Sequence, residues 1–392
     1  MIFVFHDNFL LLPKPIIAII GAGIAGLTLA HTLENRKIDW VIFEGAPALQ
    51  PVGAGLLLAI NAMRVYQQLN LAQDIQRKGH RIDALQVVDP KFEPITNTDL
   101  RPFARAYDAF SCAIRRSVLS EILLSRLPAE RIRLGKQLTG IEQHANSCTL
   151  HFKDGQRTRC GYIIGADGIN STVRRLAFQS RSFRQTNQRC WRGIKKTKLP
   201  PSYRHRLTEC WIGPVRVGFC PVTTDTVYWF VTTTLNTGSK GEQHGIWPYL
   251  SQLPSFVRSF LQSNDFENAH FTSLYDLHPS KEWFRGRIAL LGDAIHPTTP
   301  NLGQGAGQAI ESAYVLGCLT DPENITATFQ RYVSLRQSKT ESITQTSYRI
   351  GMLAHWSQPW LVWIRNYALR RTVPDFVTRK QMERLFSVAL LD

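Results

Sequence analysis

The chain has 392 residues, 44% hydrophobic and 19% charged, the balance of a folded protein and too long for one ordinary core, so two lobes are expected. No apolar run reaches roughly 18 residues, which argues against integral membrane association. The formal charge of +16 is dispersed: its densest groups, Lys195-Lys196-Lys198 and Arg370-Arg371, are short and no nucleic-acid motif accompanies them, so the charge reads as a surface that attracts anionic small molecules and not as nucleic-acid contact.

Residues 1–15 carry no basic n-region and no small-residue cleavage site, and read as a short extension before the first strand, not as a signal peptide. Residues 16–20 are a continuous apolar run, as in a central strand buried on both faces. A glycine turn, apolar helical spacing over Leu27–Leu33 and a second strand at Trp40–Phe43 complete a βαβ unit. Leu119, Ile122, Leu123 and Leu127 predict an amphipathic helix, and Tyr162–Ile164 another buried strand. From about 185 to 275 short β-prone stretches such as Arg216–Val222 and Thr226–Thr233 alternate with Gly, Pro, Asp and Thr, the texture of a mostly antiparallel sheet. Residues 288–291 return to the buried-strand pattern, and a helix is expected from about Gln304. Beyond Glu323 the chain reads as helical to the end. The aromatic and basic residues around Trp356, Trp360 and Trp363 admit a membrane-facing helix. The breaks at Pro359 and Pro374 favour a helix packed on the body. Seven scattered cysteines form no CxxC pair and have no histidine at metal-finger spacing. They are read as reduced, buried thiols in a cytoplasmic protein, with no metal site.

Gly21-Ala22-Gly23-Ile24-Ala25-Gly26 fits G-x-G-x-x-G between a strand and a helix. Gly21 permits the tight turn, Gly23 lets main chain approach a pyrophosphate, and Gly26 lets helix and strand pack closely. The helix N-terminus offers free N–H groups and partial positive charge. Glu44, ending the next strand, stands where a ribose hydroxyl needs an acceptor and a 2′-phosphate would be rejected. The loop alone therefore implies FAD or NAD, and not NADP.

The segment Gly292-Asp293-Ala294-Ile295-His296-Pro297, continuing through Pro300-Asn301-Leu302-Gly303-Gln304-Gly305-Ala306-Gly307, resembles the single-component FAD-dependent aromatic hydroxylases, the group A flavoprotein monooxygenases, with salicylate hydroxylase-like, urate hydroxylase-like and tetracycline monooxygenase-like members. The third mark of that family is Gly165-Ala166-Asp167-Gly168, running to Arg174. The resemblance spans about residues 16 to 335. It implies that Asp293 meets the ribityl chain and that the Gly303–Gly307 stretch turns helix amides toward the flavin pyrimidine edge. It also implies that Asp167 and Arg174 support the pyrophosphate region and nicotinamide use, and that Arg116 lies against FAD. Gly53-Ala54-Gly55-Leu56 with Asn61-Ala62 would run beside the flavin, and Leu138 would meet adenine through its backbone. Gly45 replaces a usual basic residue and Ile295 a usual alanine. The expected cofactor contacts are thus Gly21, Gly23, Ala25, Gly26, Glu44, Gly45, Gly55, Arg116, Leu138, Asp167, Asp293, Gly303, Gln304, Gly305, Ala306 and Gly307. His296 reads as support for its loop more than as an acid–base group, and Asp167 is also well suited to cap a helix.

The implied fold is α/β: a Rossmann-like FAD-binding domain with an inserted antiparallel β-sheet substrate domain and C-terminal helices. Its expected FAD-binding parts are 1–90, 105–184 and 276–325; its substrate parts are 91–104 and 185–275; helices occupy 326–392. Arg216 and Tyr228, twelve residues apart on consecutive strands, match a catalytic pair that some relatives, including urate hydroxylase-like enzymes, point into the substrate pocket. The alternative for both is an outward-facing strand position. The resemblance implies reduction of FAD by NAD(P)H as co-substrate, addition of O₂ at the flavin C4a position, and hydroxylation of an aromatic or heteroaromatic small molecule, with anionic substrates suited to the arginine. Three other readings compete: an epoxidase or polycyclic-antibiotic-modifying relative, a halogenase, whose W-x-W-x-I-P motif is absent, and a non-catalytic FAD-binding protein.

Overall fold

A computed structural model describes residues 5–6, 9–11, 16–49, 55–178, 183–235, 243–371 and 375–392. The expected segment around Gly53-Ala54 lies outside the described residues. A six-stranded sheet runs in the order Ile132–Arg133, Trp40–Phe43, Ile17–Ile20, Tyr162–Gly165, Ile288–Leu290, Phe284–Arg285. The first five are parallel to their neighbours and the last is antiparallel. Every residue of its four central strands is buried, which is why they read as unbroken apolar runs: both faces are covered. The helices Ile24–Asn35 and Gly305–Leu319 pack against each other on this sheet. A second layer, including the antiparallel strands Leu138–Gln143, Cys148–Phe152 and Arg157–Cys160, packs through contacts such as Phe43 on Phe152, 4.8 Å between ring centroids. Phe5–His6 and Phe9–Leu11 extend that layer, the latter parallel to Arg157–Cys160, so the N-terminal segment is more than a plain extension.

A seven-stranded sheet forms the second lobe, in the order His270–Leu277, Phe183–Lys196, Thr226–Thr233, Val215–Thr223, Arg206–Ile212, Ala84–Val88, Pro94–Asp99. It is antiparallel except where Arg206–Ile212 runs parallel to Ala84–Val88. Ala84–Val88, expected within the first FAD-binding segment, is therefore hydrogen-bonded into this sheet. One face carries Trp191, Val217, Phe219, Trp229 and Val231, buried with Leu250, Val257, Phe260 and Phe266 from the covering short helices. These aromatics fill a core and line no pocket there. The other face turns toward the first lobe. Between the lobes lies a small sheet of Gly55–Leu58, Ser111–Arg115 and His80–Ile82.

The C-terminal region is three helices, Ile325–Ala354, Pro359–Arg371 and Asp375–Phe386. Pro359 opens the second, where its missing N–H costs nothing. Among the described residues no helix is long and apolar enough to cross a membrane, and no cluster of ligands could hold a metal. All seven cysteines are free, six of them buried.

Candidate functional site

The Ile17–Ile20 strand ends at Gly21, and the helix Ile24–Asn35 begins with Gly23 at its N-cap and no side chain on its first amides. Those N–H groups are open to an anionic ligand. Gly21 has φ +107°, and a Cβ there would stand 2.6 Å from the Ala166 carbonyl oxygen. At Gly26 a Cβ would meet the Gly21 carbonyl oxygen at 2.1 Å, while at Gly23 nothing lies within 4 Å. Two glycines are thus forced by close main chain, and the third leaves an open approach. Ala25 is buried with its Cβ 3.1 Å from where a Gly292 Cβ would stand, so the loop packs on the turn that carries Asp293. The Glu44 carboxylate accepts from the Ala22 N–H at 2.8 Å and the Ala46 N–H at 2.9 Å. It braces the loop from the ribose side. Gly45 passes the Gln137 backbone, next to Leu138, whose side chain is buried in the core. A nucleotide could meet Leu138 only through its main chain.

Asp167 serves as a helix cap. Its carboxylate accepts from the Ser171 hydroxyl at 2.5 Å and from the amides of Thr172 at 2.6 Å and Val173 at 3.1 Å, at the start of Thr172–Ala177. Burial pushes its carboxyl up, and these donors pull it back. Buried Arg174 donates to the carbonyls of Ala294 at 2.6 Å and Ile169 at 2.5 Å. This bolts the Gly165–Arg174 segment to the Asp293 turn, so two motifs far apart in sequence hold one another.

At the other end Gly292, φ +61°, places Asp293 on a short turn packed against Gly305–Leu319, the helix whose preceding loop meets the seven-stranded sheet at the junction of the lobes. Asp293 is open to solvent, yet protein atoms crowd it enough to push its carboxyl above the ordinary range, with the Arg116 charge opposing. Arg116, exposed at the start of Arg116–Ser125, is near enough for its charge to act on Asp293. Gly303 adopts φ +62° with nothing near its Cβ position, and Gln304 then caps Gly305–Leu319, leaving the amides of Gly305, Ala306 and Gly307 at the helix start. Beneath them Glu311, fully buried, binds Arg336 and accepts from Lys339 at 2.9 and 3.0 Å and from Asn61 at 3.2 Å. His296 hydrogen-bonds Ser312 at 3.0 Å, and burial together with the Arg336 charge lowers its pKa to about 3. It is a neutral supporting group. The open amides at the two helix starts would suit FAD as donors, and the Asp293 carboxylate as an acceptor for its hydroxyls.

Register decides which side chains of the seven-stranded sheet face the first lobe. Arg216 pairs with Thr232, Cys220 with Tyr228, Ile194 with Tyr228, and Arg192 with Phe230, so all of these share one face. The Tyr228 ring covers Gly55, where a Cβ would stand 2.4 Å from it, so that face meets the first lobe. Arg216 and Tyr228 do point inward, four positions apart along the sheet. Arg216, however, is buried and committed: it ion-pairs with Glu209 and donates to Asn301 Oδ1 at 2.5 Å, on the loop before Gly303. Thr232 donates to Nε2 of buried His355, whose Nδ1–H donates to the Gly351 carbonyl at 2.7 Å. Burial, aided by the Arg216 charge, lowers the His355 pKa to about 3.

Sequence reasoning missed Arg192. It is half-buried on the same face, diagonal to Tyr228, and its guanidinium donates only to Cys190 Sγ at 3.3 Å, with no carboxylate in salt-bridge range among the described residues. Tyr228 is likewise half-buried, and its hydroxyl has no hydrogen-bond partner among the described residues. Burial raises its pKa, Arg192 opposing. No spacing rule could have singled out Arg192, because only the strand register puts it beside Tyr228. A separate surface cleft of about 600 Å³, lined in part by Gln73, Gln76, Arg81 and Arg105, shares no residue with these motifs.

Residues 15–320 match the family model described as "FAD binding domain". The chain is 30% identical over 383 residues to the 2-heptyl-3-hydroxy-4(1H)-quinolone synthase of Pseudomonas aeruginosa strain UCBPP-PA14, covering 94% of this chain and 96% of that protein. It is 33% identical over 347 residues to the 3-amino-4-hydroxybenzoate 2-monooxygenase of Streptomyces cremeus, covering 86% and 87%. The crystal structure of Klebsiella pneumoniae HpxO with FAD and uric acid superposes with a TM-score of 0.86 at 24% identity, covering 96% of this chain and 98% of that one. The chain belongs to the FAD binding domain family and is a flavoprotein of the group A monooxygenases.

Proposed function

We propose that this flavoprotein uses NAD(P)H and O₂ to hydroxylate an aromatic or heteroaromatic small molecule that carries an acidic ring oxygen or carboxylate. The observation behind this reading is the placement of Arg192 and Tyr228, a guanidinium without a carboxylate and a phenol without a partner among the described residues, side by side on the sheet face from which Arg216 reaches Asn301. The chemistry supplied by bound FAD is hydride acceptance from the nicotinamide and activation of O₂. Arg192 would hold a phenolate, enolate or carboxylate with charge-assisted hydrogen bonds. Tyr228, kept protonated by burial, would donate to the ring oxygen and hold its proton in place. Arg216, the arginine expected to touch substrate, would act instead through Asn301, fixing the loop ahead of Gly303. The amides at Gly305–Gly307 would favour negative charge at the pyrimidine edge, and the sheet would keep water from the flavin. The relatives' names speak of a hydroxyquinolone and a hydroxybenzoate, and the structural neighbour of uric acid; each is a ring bearing a hydroxyl or acid group.

The test uses the purified, FAD-loaded protein with NADH and with NADPH against phenols, hydroxybenzoates, hydroxyquinolones and purines. The expected result is substrate-stimulated oxidation of the nicotinamide, with label from isotopic O₂ in the product. Label from water, or no stimulation by any ring, would overturn it.

A further inference from the structure

The Pro359–Arg371 helix buries an arginine and exposes its largest apolar side chains. Its inner side is centred on buried Arg365, flanked by half-buried Leu361, Val362, Ala368 and Leu369; Arg365 donates to the carbonyls of Leu353 at 3.2 Å and Ala354 at 3.0 Å and lies over the Trp211 ring at 4.9 Å. Arg370 reaches Asp89 at 2.8 Å and the Pro94 carbonyl at 3.1 Å, fastening the helix to the edge of the seven-stranded sheet. Its outer side is apolar: Trp360 is 62% exposed, Trp363 66%, Ile364 45% and Tyr367 47%, with Met352 of the preceding helix at 53%. The positions 360, 363, 364 and 367 follow i, i+3, i+4, i+7 and make one stripe. Of nine exposed large hydrophobic residues among those described, five fall within 352–367, so this is a patch and not scatter.

The charge carried by this stretch of chain is one-signed. Residues 342–374 contain four arginines, Arg349, Arg365, Arg370 and Arg371, and no aspartate or glutamate. Arg349 and Arg371 are exposed, and Arg371 lies 5.0 Å over the Tyr367 ring, which stacks on Trp363. The nearby acids Asp89 and Glu93 are engaged by Arg370. Tryptophan and tyrosine beside arginine is the composition of a helix lying at a polar–apolar boundary. A second copy would bring +16 against +16, whereas an anionic lipid surface complements that charge.

We propose that the Trp360–Tyr367 face docks on the anionic surface of a bilayer, with the helix in the plane of the interface. The inference stands apart from the reaction proposed above. It has one structural link to it: Arg365 stacks on Trp211, which in turn packs against Arg216.

Co-sedimentation of the FAD-loaded protein with phosphatidylcholine vesicles, with and without phosphatidylglycerol, tests this. Binding is expected only with phosphatidylglycerol, weakened by salt. It should fall by about tenfold or more in Trp360→Ser/Trp363→Ser and in Arg371→Glu. Lys153→Gln/Lys198→Gln, which makes the same net charge change as Arg371→Glu on other exposed residues, should bind like wild type. Flavin content confirms that each variant is folded. Equal loss in the lysine variant would reduce the effect to bulk charge and overturn the proposal. So would an absence of vesicle binding, or a concentration-dependent dimer in sedimentation velocity that the tryptophan variant abolishes while vesicles recruit nothing.

Discussion

In the first lobe, Gly21, Gly23, Gly26 and the Gly303–Gly307 turn leave main-chain amides open; in the second, Arg192, Tyr228 and Arg216 place side chains from three neighbouring strands on one face. The first works by removing side chains, and a Cβ at Gly26 would sit 2.1 Å from a carbonyl oxygen that cannot move without dismantling the turn. The second works by register: a slip of one residue would turn the same arginines away from the first lobe. A glycine pattern of this kind is written at fixed intervals in the chain, while the face proposed for substrate is written across strands.

The sharpest way to break the main-chain side is Gly26→Val. With backbone as the obstructing atom, the strand–helix turn must open, and FAD affinity should fall by about a thousandfold or more; flavin content after purification and fluorescence quenching on FAD titration measure it. Near-normal affinity would mean that the amides of this turn do not carry the cofactor. Next in size is Arg336→Leu, which leaves the fully buried Glu311 with Lys339 as its charged partner and Asn61 as a neutral one. Removing one partner of a buried pair costs about 3–5 kcal/mol, read as a lower urea midpoint. The restoring variant Glu311→Gln in the same chain should recover part of it.

The same contrast explains what was legible in the sequence. The strands at 16–20, 40–43 and 288–291 are legible because both faces of that sheet are buried, Gly21 and Gly26 because main chain stands where their Cβ would be, and Gly303 because its positive φ favours glycine. The seven-stranded sheet was legible as a class, but its partner order was not: Ala84–Val88 joins Arg206–Ile212 across more than a hundred residues of chain. Arg216 and Tyr228 were picked for their spacing, yet Glu209 and Asn301 have taken up Arg216, and neither is near it in any motif. Arg192 and His355 carried no local signal. The buried Arg365, inside a stripe of exposed tryptophans, reverses the pattern that hydrophobic periodicity assumes.

Two arginines on one face sharpen the comparison from the substrate side. Arg192→Gln should keep FAD and lower kcat/KM for an anionic ring by about 2 kcal/mol, roughly thirtyfold, with little change for a neutral analogue. Arg216→Gln should act differently, loosening Asn301 and strand Arg206–Ile212, so that both neutral and anionic substrates suffer and flavin fluorescence changes in the absence of substrate. If the two variants showed the same charge discrimination, the division of labour drawn between them would be wrong.

Two buried histidines have their pKa lowered to about 3, by burial first and by a neighbouring arginine second: His296 under the Gly303–Gly307 turn and His355 against Thr232 of the sheet. Unfolded histidine takes up its proton near pH 6.5. Between that pH and about 3 the unfolded chain therefore binds protons that the native one does not, and stability rises with pH across this window. Their contribution is fully present above about 6.5 and is lost as pH falls toward 3, at about 1.4 kcal/mol per pH unit for each histidine. His296→Asn and His355→Asn should each flatten the acid limb of a urea-midpoint profile by that amount, whatever their effect at neutral pH. Followed by flavin release and by tryptophan fluorescence together, the two variants also ask whether the lobes unfold as one. A His355→Asn profile flattened only in tryptophan fluorescence, with flavin release unmoved, would show that the sheet titrates and opens apart from the cofactor turn, and that Arg216 and Asn301 do not couple them.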